Sequence, residues 1–96
     1  MPGDLVKYQK GAIVSKEFAK SKGGTMTVFA FWQGEGLSEH TAPFDAIVQV
    51  LDGEASITVS GKCEAVKKGG MLLMPAGKPH SLKAVKRFKM LLTMIK

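Results

Sequence analysis

A single cysteine, Cys63, excludes an internal disulfide in this chain of 96 residues, and two histidines, His40 and His80, are too few to complete a structural Cys/His zinc site. No stretch approaches the roughly 20 apolar residues that span a bilayer. The opening Met1-Pro2-Gly3-Asp4 has neither a basic leader nor an apolar core of about 7–15 residues. A cytoplasmic protein with no membrane partner is therefore the expectation, and a lone thiol agrees with a reducing compartment. Arginine is also scarce, with Arg87 alone among 14 basic residues, and aromatics make up 7% of the chain. Direct nucleic-acid binding uses clustered arginine with exposed aromatics, so no nucleic-acid partner is expected either.

What is present is a foldable, basic chain. Apolar residues make up 45%, and 14 Lys and Arg stand against 8 Asp and Glu, a net charge of +6. All of the excess lies after Val48, where eight lysines and Arg87 face Asp52, Glu54 and Glu64. A lysine-rich solvated surface that keeps β edges apart accounts for it. At this length one domain, residues 1–96, uses the whole chain, and a domain so small buries only about 60–65% of its unfolded surface.

Eleven glycines and four prolines cut the sequence into short segments with no sustained helical period, the punctuation of an all-β sandwich or barrel. The expected strands are an edge strand at Ala12–Phe18, then Thr25–Gln33 after a Lys20–Gly24 loop, and then Asp45–Leu51 and Glu54–Ser60. Asp52-Gly53 between the last two predicts a tight hairpin. Ala55, Ile57 and Val59 should face a dry side, with Ser56, Thr58 and Ser60 on a wet one. Gly61-Lys62 turns the chain into Cys63–Val66. After the Lys67–Gly70 loop come a short buried strand at Met71–Met74, a rigid Pro75–Pro79 turn and a strand at His80–Val85. The last strand, Phe88–Ile95, puts Phe88, Met90, Leu92 and Met94 on one face. Five of the six methionines fall on these strands and read as gap-filling core side chains. A soft thioether and imidazole site for Cu(I) is the alternative. Cys63 reads as a small buried apolar residue, and Phe29, Phe31, Trp32, Phe44 and Phe88 as mostly core.

The stretch from Gly36 to Ala84 resembles the cupin superfamily, small double-stranded β-helix barrels that carry two sequence motifs. The second motif, G-x5-P-x-G-x2-H-x3-N, is met by Gly69, Pro75, Gly77 and His80, with Ala84 in place of its Asn. The first, G-x5-H-x-H-x3,4-E-x6-G, is met by His40 and Gly53. Ala42 stands at its second His and Ala46 at its Glu, and Gly34 fits the opening position best. The motif regions thus cover about residues 34–53 and 69–84.

The resemblance implies an all-β, jelly-roll-like cupin barrel, commonly a homodimer, with a central pocket containing His40, Ala42, Ala46 and His80. Strand alternation sends His40 and Ala42 to the same face. In metal-binding cupins three histidines and a glutamate hold a divalent ion, and only His40 and His80 carry over as metal ligands. Catalytic zinc usually has three protein ligands, and non-haem iron two His and a carboxylate, with Gln33, Gln49 or water as the fillers to consider here. The expected function is small-molecule binding, with one divalent ion (Fe, Mn, Ni, Cu or Zn) at a degenerate site or none. A metal-dependent dioxygenase or isomerase and a non-catalytic sensor or interaction module stand as alternatives, so enzyme status stays open.

Overall fold

The computed structural model describes residues 1–96 as a 3-10 turn, Pro2–Leu5, followed by nine strands. They are β1 (Ile13–Ser21), β2 (Gly24–Phe31), β3 (Gly36–His40), β4 (Asp45–Asp52), β5 (Glu54–Val59), β6 (Lys62–Lys67), β7 (Met71–Met74), β8 (His80–Ala84) and β9 (Phe88–Ile95). All neighbouring strands pair antiparallel. They form a five-stranded sheet, β1-β2-β9-β4-β7, and a four-stranded sheet, β3-β8-β5-β6. The expected all-β, jelly-roll-like barrel is the observed fold. Beyond the β1–β2 and β5–β6 hairpins, the connections from β2 onward carry the chain from one sheet to the other.

That alternation overturns the hairpin expected at Asp52-Gly53. Strand β4 pairs with β7 and β9, whereas β5 pairs with β6 and β8. Gly53 keeps its positive φ of 77°, but it serves a corner between sheets, packed against the backbone of Arg87 and Phe88. A two-residue turn does close a hairpin one strand later, at Ser60 and Gly61, whose φ values of 50° and 81° match what such a turn demands. The dipeptide signal reports positive φ, and partner choice is set by which strands can bury their apolar faces together.

One core joins the sheets. From the five-stranded sheet come Phe31, Val48, Val50, Phe88 and Met90, and from the four-stranded sheet Ala55, Ile57, Val66, Leu82 and Ala84, all buried. Phe31 and Phe88 are cross-strand partners with nearly parallel rings 4.5 Å apart. Each contributes roughly 1.5–3 kcal/mol through burial. They plug one end of the barrel. At the other end the inward residues are smaller or more flexible, and a cavity remains.

The N-terminal segment straps the outer face of the larger sheet. Val6 packs on Val28, Ala30 and Leu91. The Tyr8 hydroxyl donates to Asp52 at 2.6 Å, and Lys89 Nζ donates to the Gly3 carbonyl at 2.8 Å. The Arg87 guanidinium lies 5.6 Å from the Tyr8 ring and 5.0 Å from that of Trp32. Two cations of the basic second half thus hold the N-terminus down.

Several expectations need local correction. Strand β1 runs on to Ser21, through the residues read as a loop. Met71 and Leu73 are exposed and only Met74 is fully buried, so β7 covers the core with one face. Trp32 and Phe44 are only partly buried. Cys63 is exposed, because its partner across the sheet is Thr58 on the wet face of β5.

Candidate metal and ligand pocket

Strand pairing brings the two histidines together. His40 ends β3, His80 opens β8, and they are direct cross-strand partners beyond a β-bulge that follows Leu37. The turn before His80 is fixed from two sides. Asp45 Oδ1 accepts the Ala76 N–H at 2.8 Å, and the Gly77 N–H donates to the Ala42 carbonyl at 2.9 Å. The segment after His40 therefore grips the loop that delivers His80. Nothing in the sequence pattern pointed to Asp45 in this role, since a carboxylate that caps a remote turn leaves no periodic trace.

His80 is 4% exposed, whereas His40 is exposed, so the pair leads from solvent into the barrel. Their Nε2 atoms are 3.1 Å apart and their rings meet edge to face. His40 Nδ1 lies 2.8 Å from the Ser38 carbonyl and His80 Nδ1 lies 3.2 Å from that of Lys78. A carbonyl only accepts, so each Nδ1 carries the proton, and in the neutral rings each Nε2 is left with a lone pair. Two lone pairs at this distance repel unless a cation stands between them, and that cation is a proton or a metal ion. Burial, and then the neighbouring His40 imidazole, push His80 below the usual imidazole range, with the Lys78 carbonyl acting against them. His80 is thereby kept neutral, the form that ligates metals.

The structure places His40, Ala42, Ala46 and His80 around one cavity of about 80 Å3. Ala42 does so from the loop after β3, not from a continuing strand. Leu37, Leu82 and Leu92 make the wall apolar, and Met74, Met90 and Met94 line the side of the larger sheet. Gln33 and Gln49 are exposed and contribute nothing. No third His, Cys, Asp or Glu joins the pair. A depression of about 400 Å3 beside the β1–β2 turn is larger, but Lys20 is its only ionisable side chain.

A metal ion fits the nitrogens. Two ligands each about 2.0–2.1 Å from one ion and 3.1 Å apart subtend roughly 95–100°, an ordinary angle for a coordinated pair. Both rings also have the Nδ1–H to carbonyl contact that orients ligating histidines. The carboxylate of the usual divalent set is absent: Asp45 is committed to Ala76, and Glu39, next to His40 on β3, is exposed.

Comparison with known proteins agrees with this architecture. Residues 27–95 match the family model described as a cupin domain. A conserved protein of unknown function from Streptococcus pyogenes is 33% identical over 100% of this chain and 84% of its own, with a TM-score of 0.95. A cupin 2 conserved barrel domain protein from Leptotrichia buccalis is 46% identical over 97% of this chain, which spans 45% of that longer protein, with a TM-score of 0.93. A salicylate 1,2-dioxygenase from Pseudoaminobacter salicylatoxidans shares the fold alone, at 16% identity over 86% of this chain and 25% of its own, with a TM-score of 0.81. No curated protein sequence matches.

Proposed function

The chain belongs to the cupin domain family, and from that premise we propose that it binds a small ligand in the barrel cavity, at a metal ion held by Nε2 of His40 and His80. The observation that carries this reading is the convergence of the two Nε2 atoms at 3.1 Å while both Nδ1 atoms face backbone carbonyls. The size of the cavity limits the occupant. At about 80 Å3 it is well below the roughly 300–1,000 Å3 of pockets for drug-sized molecules, so an ion with one or two small exogenous ligands is what it accommodates.

The side chains divide the work. His80, anchored by Lys78, supplies a neutral buried nitrogen, and His40, anchored by Ser38, supplies the second at the solvent side. Ala42 and Ala46 keep the space beside them open, and the leucines exclude water. When bound, the ion supplies a positive centre with positions open to a small exogenous ligand.

Metal analysis of untagged protein, beside a His40→Ala/His80→Ala variant, tests the reading. About one ion per chain in the wild type and none in the variant is the expected result. Equal, negligible metal in both proteins after incubation with divalent and monovalent ions would end it.

A further inference from the structure

The larger sheet lines the cavity with three methionines, Met74, Met90 and Met94, beside Ala46 and Leu92. Ala46, at the position where the family motif has its glutamate, is the cross-strand partner of Met74 on β7 and of Met94 on β9. Directly opposed residues in a sheet have Cβ atoms about 4.5–5.5 Å apart, so the two thioethers flank the place a carboxylate side chain would occupy. Both line the same cavity as His40 and His80. The small alanine between them leaves room for either sulfur to reach inward.

We propose that the ion this cavity takes is Cu(I), held by Nε2 of His40 and His80 together with the thioether sulfur of Met74 or Met94, which leaves a position for the small ligand. The inference rests on the reading that the histidine pair holds a metal ion, and it names the ion. Two physical arguments select it. Thioethers are soft donors that favour Cu(I), while hard divalent ions favour carboxylate and water oxygens, and no carboxylate lines this cavity. Charge points the same way. The donors are all neutral and the walls apolar, and the cost of burying an ion grows with the square of its charge. A divalent ion would therefore cost about four times what a monovalent one does, with no anionic ligand to offset it.

The test is a pair of competition titrations under anaerobic conditions, Cu(I) against a chromophoric Cu(I) chelator and Zn(II) against a chromophoric zinc chelator. All proteins carry Cys63→Ser, because the exposed thiol would itself take Cu(I). The expected result is one Cu(I) per chain, bound more tightly than Zn(II). Met74→Leu/Met94→Leu, a volume-conserving change that cores tolerate, should weaken Cu(I) at least tenfold and leave Zn(II) unchanged. His40→Ala/His80→Ala should lose both ions. Copper-edge X-ray absorption of the protein with its methionines intact should show sulfur as well as nitrogen around the metal, a readout that stands even if the Leu variant fails to fold. Nitrogen scatterers alone, or Cu(I) affinity unchanged by the Met→Leu pair, would overturn the inference. Zn(II) binding that depends on the histidines, without Cu(I) binding, would overturn it while leaving the metal reading intact. Failure of both ions to bind would remove both.

Discussion

Replacing Gly53 by alanine tests whether β4 and β5 belong to different sheets. Gly53 has a φ of 77°, and a Cβ placed there would overlap the Arg87 carbonyl oxygen and lie 2.8 Å from Phe88 Cα. Gly61, in the β5–β6 hairpin, has a φ of 81° and nothing within 4 Å of the same added atom. At both sites alanine meets the left-handed penalty of about 1–2 kcal/mol, partly offset by roughly 0.4–1 kcal/mol from the stiffer unfolded chain. Only at Gly53 is there also backbone overlap, worth about 1–3 kcal/mol when packed atoms must shift. Gly61→Ala should therefore cost about 1 kcal/mol and Gly53→Ala about 3 kcal/mol. For a domain of this size that is ~4–8 °C against ~12–24 °C in Tm. Urea unfolding followed by circular dichroism, with thermal melts alongside, gives both numbers. Equal losses would mean that Asp52-Gly53 sits in an open hairpin turn and that the chain does not cross between sheets there.

Three further outcomes follow from the same geometry. Tyr8→Phe removes the hydrogen bond to Asp52 and should cost about 0.5–1.5 kcal/mol in urea unfolding at pH 8. Burial and then Asp52 raise the Tyr8 phenol above its ordinary value of about 10, so its contribution is full below pH 10 and fades as pH rises further. The gap between wild type and variant should accordingly shrink by pH 11, and a constant gap would refute the assignment. Hydrogen bonds from Ser56 and then Thr58 hold the Cys63 thiol below its usual range. Its iodoacetamide alkylation should show a midpoint pH lower than that of a free thiol, moving upward in Ser56→Ala, and no movement would count against that contact. Ala46→Glu returns a carboxylate to the cavity; it should lower the Tm of the metal-free protein and raise Zn(II) affinity at least tenfold, and unchanged affinity would show that position 46 does not face the ion.

The sequence spoke most clearly where one residue does one job. Alternation placed Ala55 and Ile57 inside and put Phe88 and Met90 on the core face of β9, because strand period alone decides which side a residue faces. Motif spacing named His40 and His80, and the structure seats them as cross-strand partners. What it hid was pairing at a distance. Asp52-Gly53 carries the same local signal as Ser60-Gly61, yet one turns a corner between sheets and the other closes a hairpin. Cys63 looked buried by residue type and is exposed, since its face is inherited from its register with Thr58. The capping of Ala76 by Asp45, the strap through Tyr8 and the placing of Met74 and Met94 on either side of Ala46 all join residues brought together only by the folded sheets.

The proposed site puts a metal ion between the two imidazoles. Anomalous diffraction at a metal absorption edge, from crystals of untagged protein grown with the metal, tests it most directly. One peak is expected within about 2.0–2.2 Å of Nε2 of both His40 and His80, on the cavity side of the pair. Metal density confined to the surface, at Cys63 for instance, with the two Nε2 atoms still 3.1 Å apart and nothing bridging them, would contradict it.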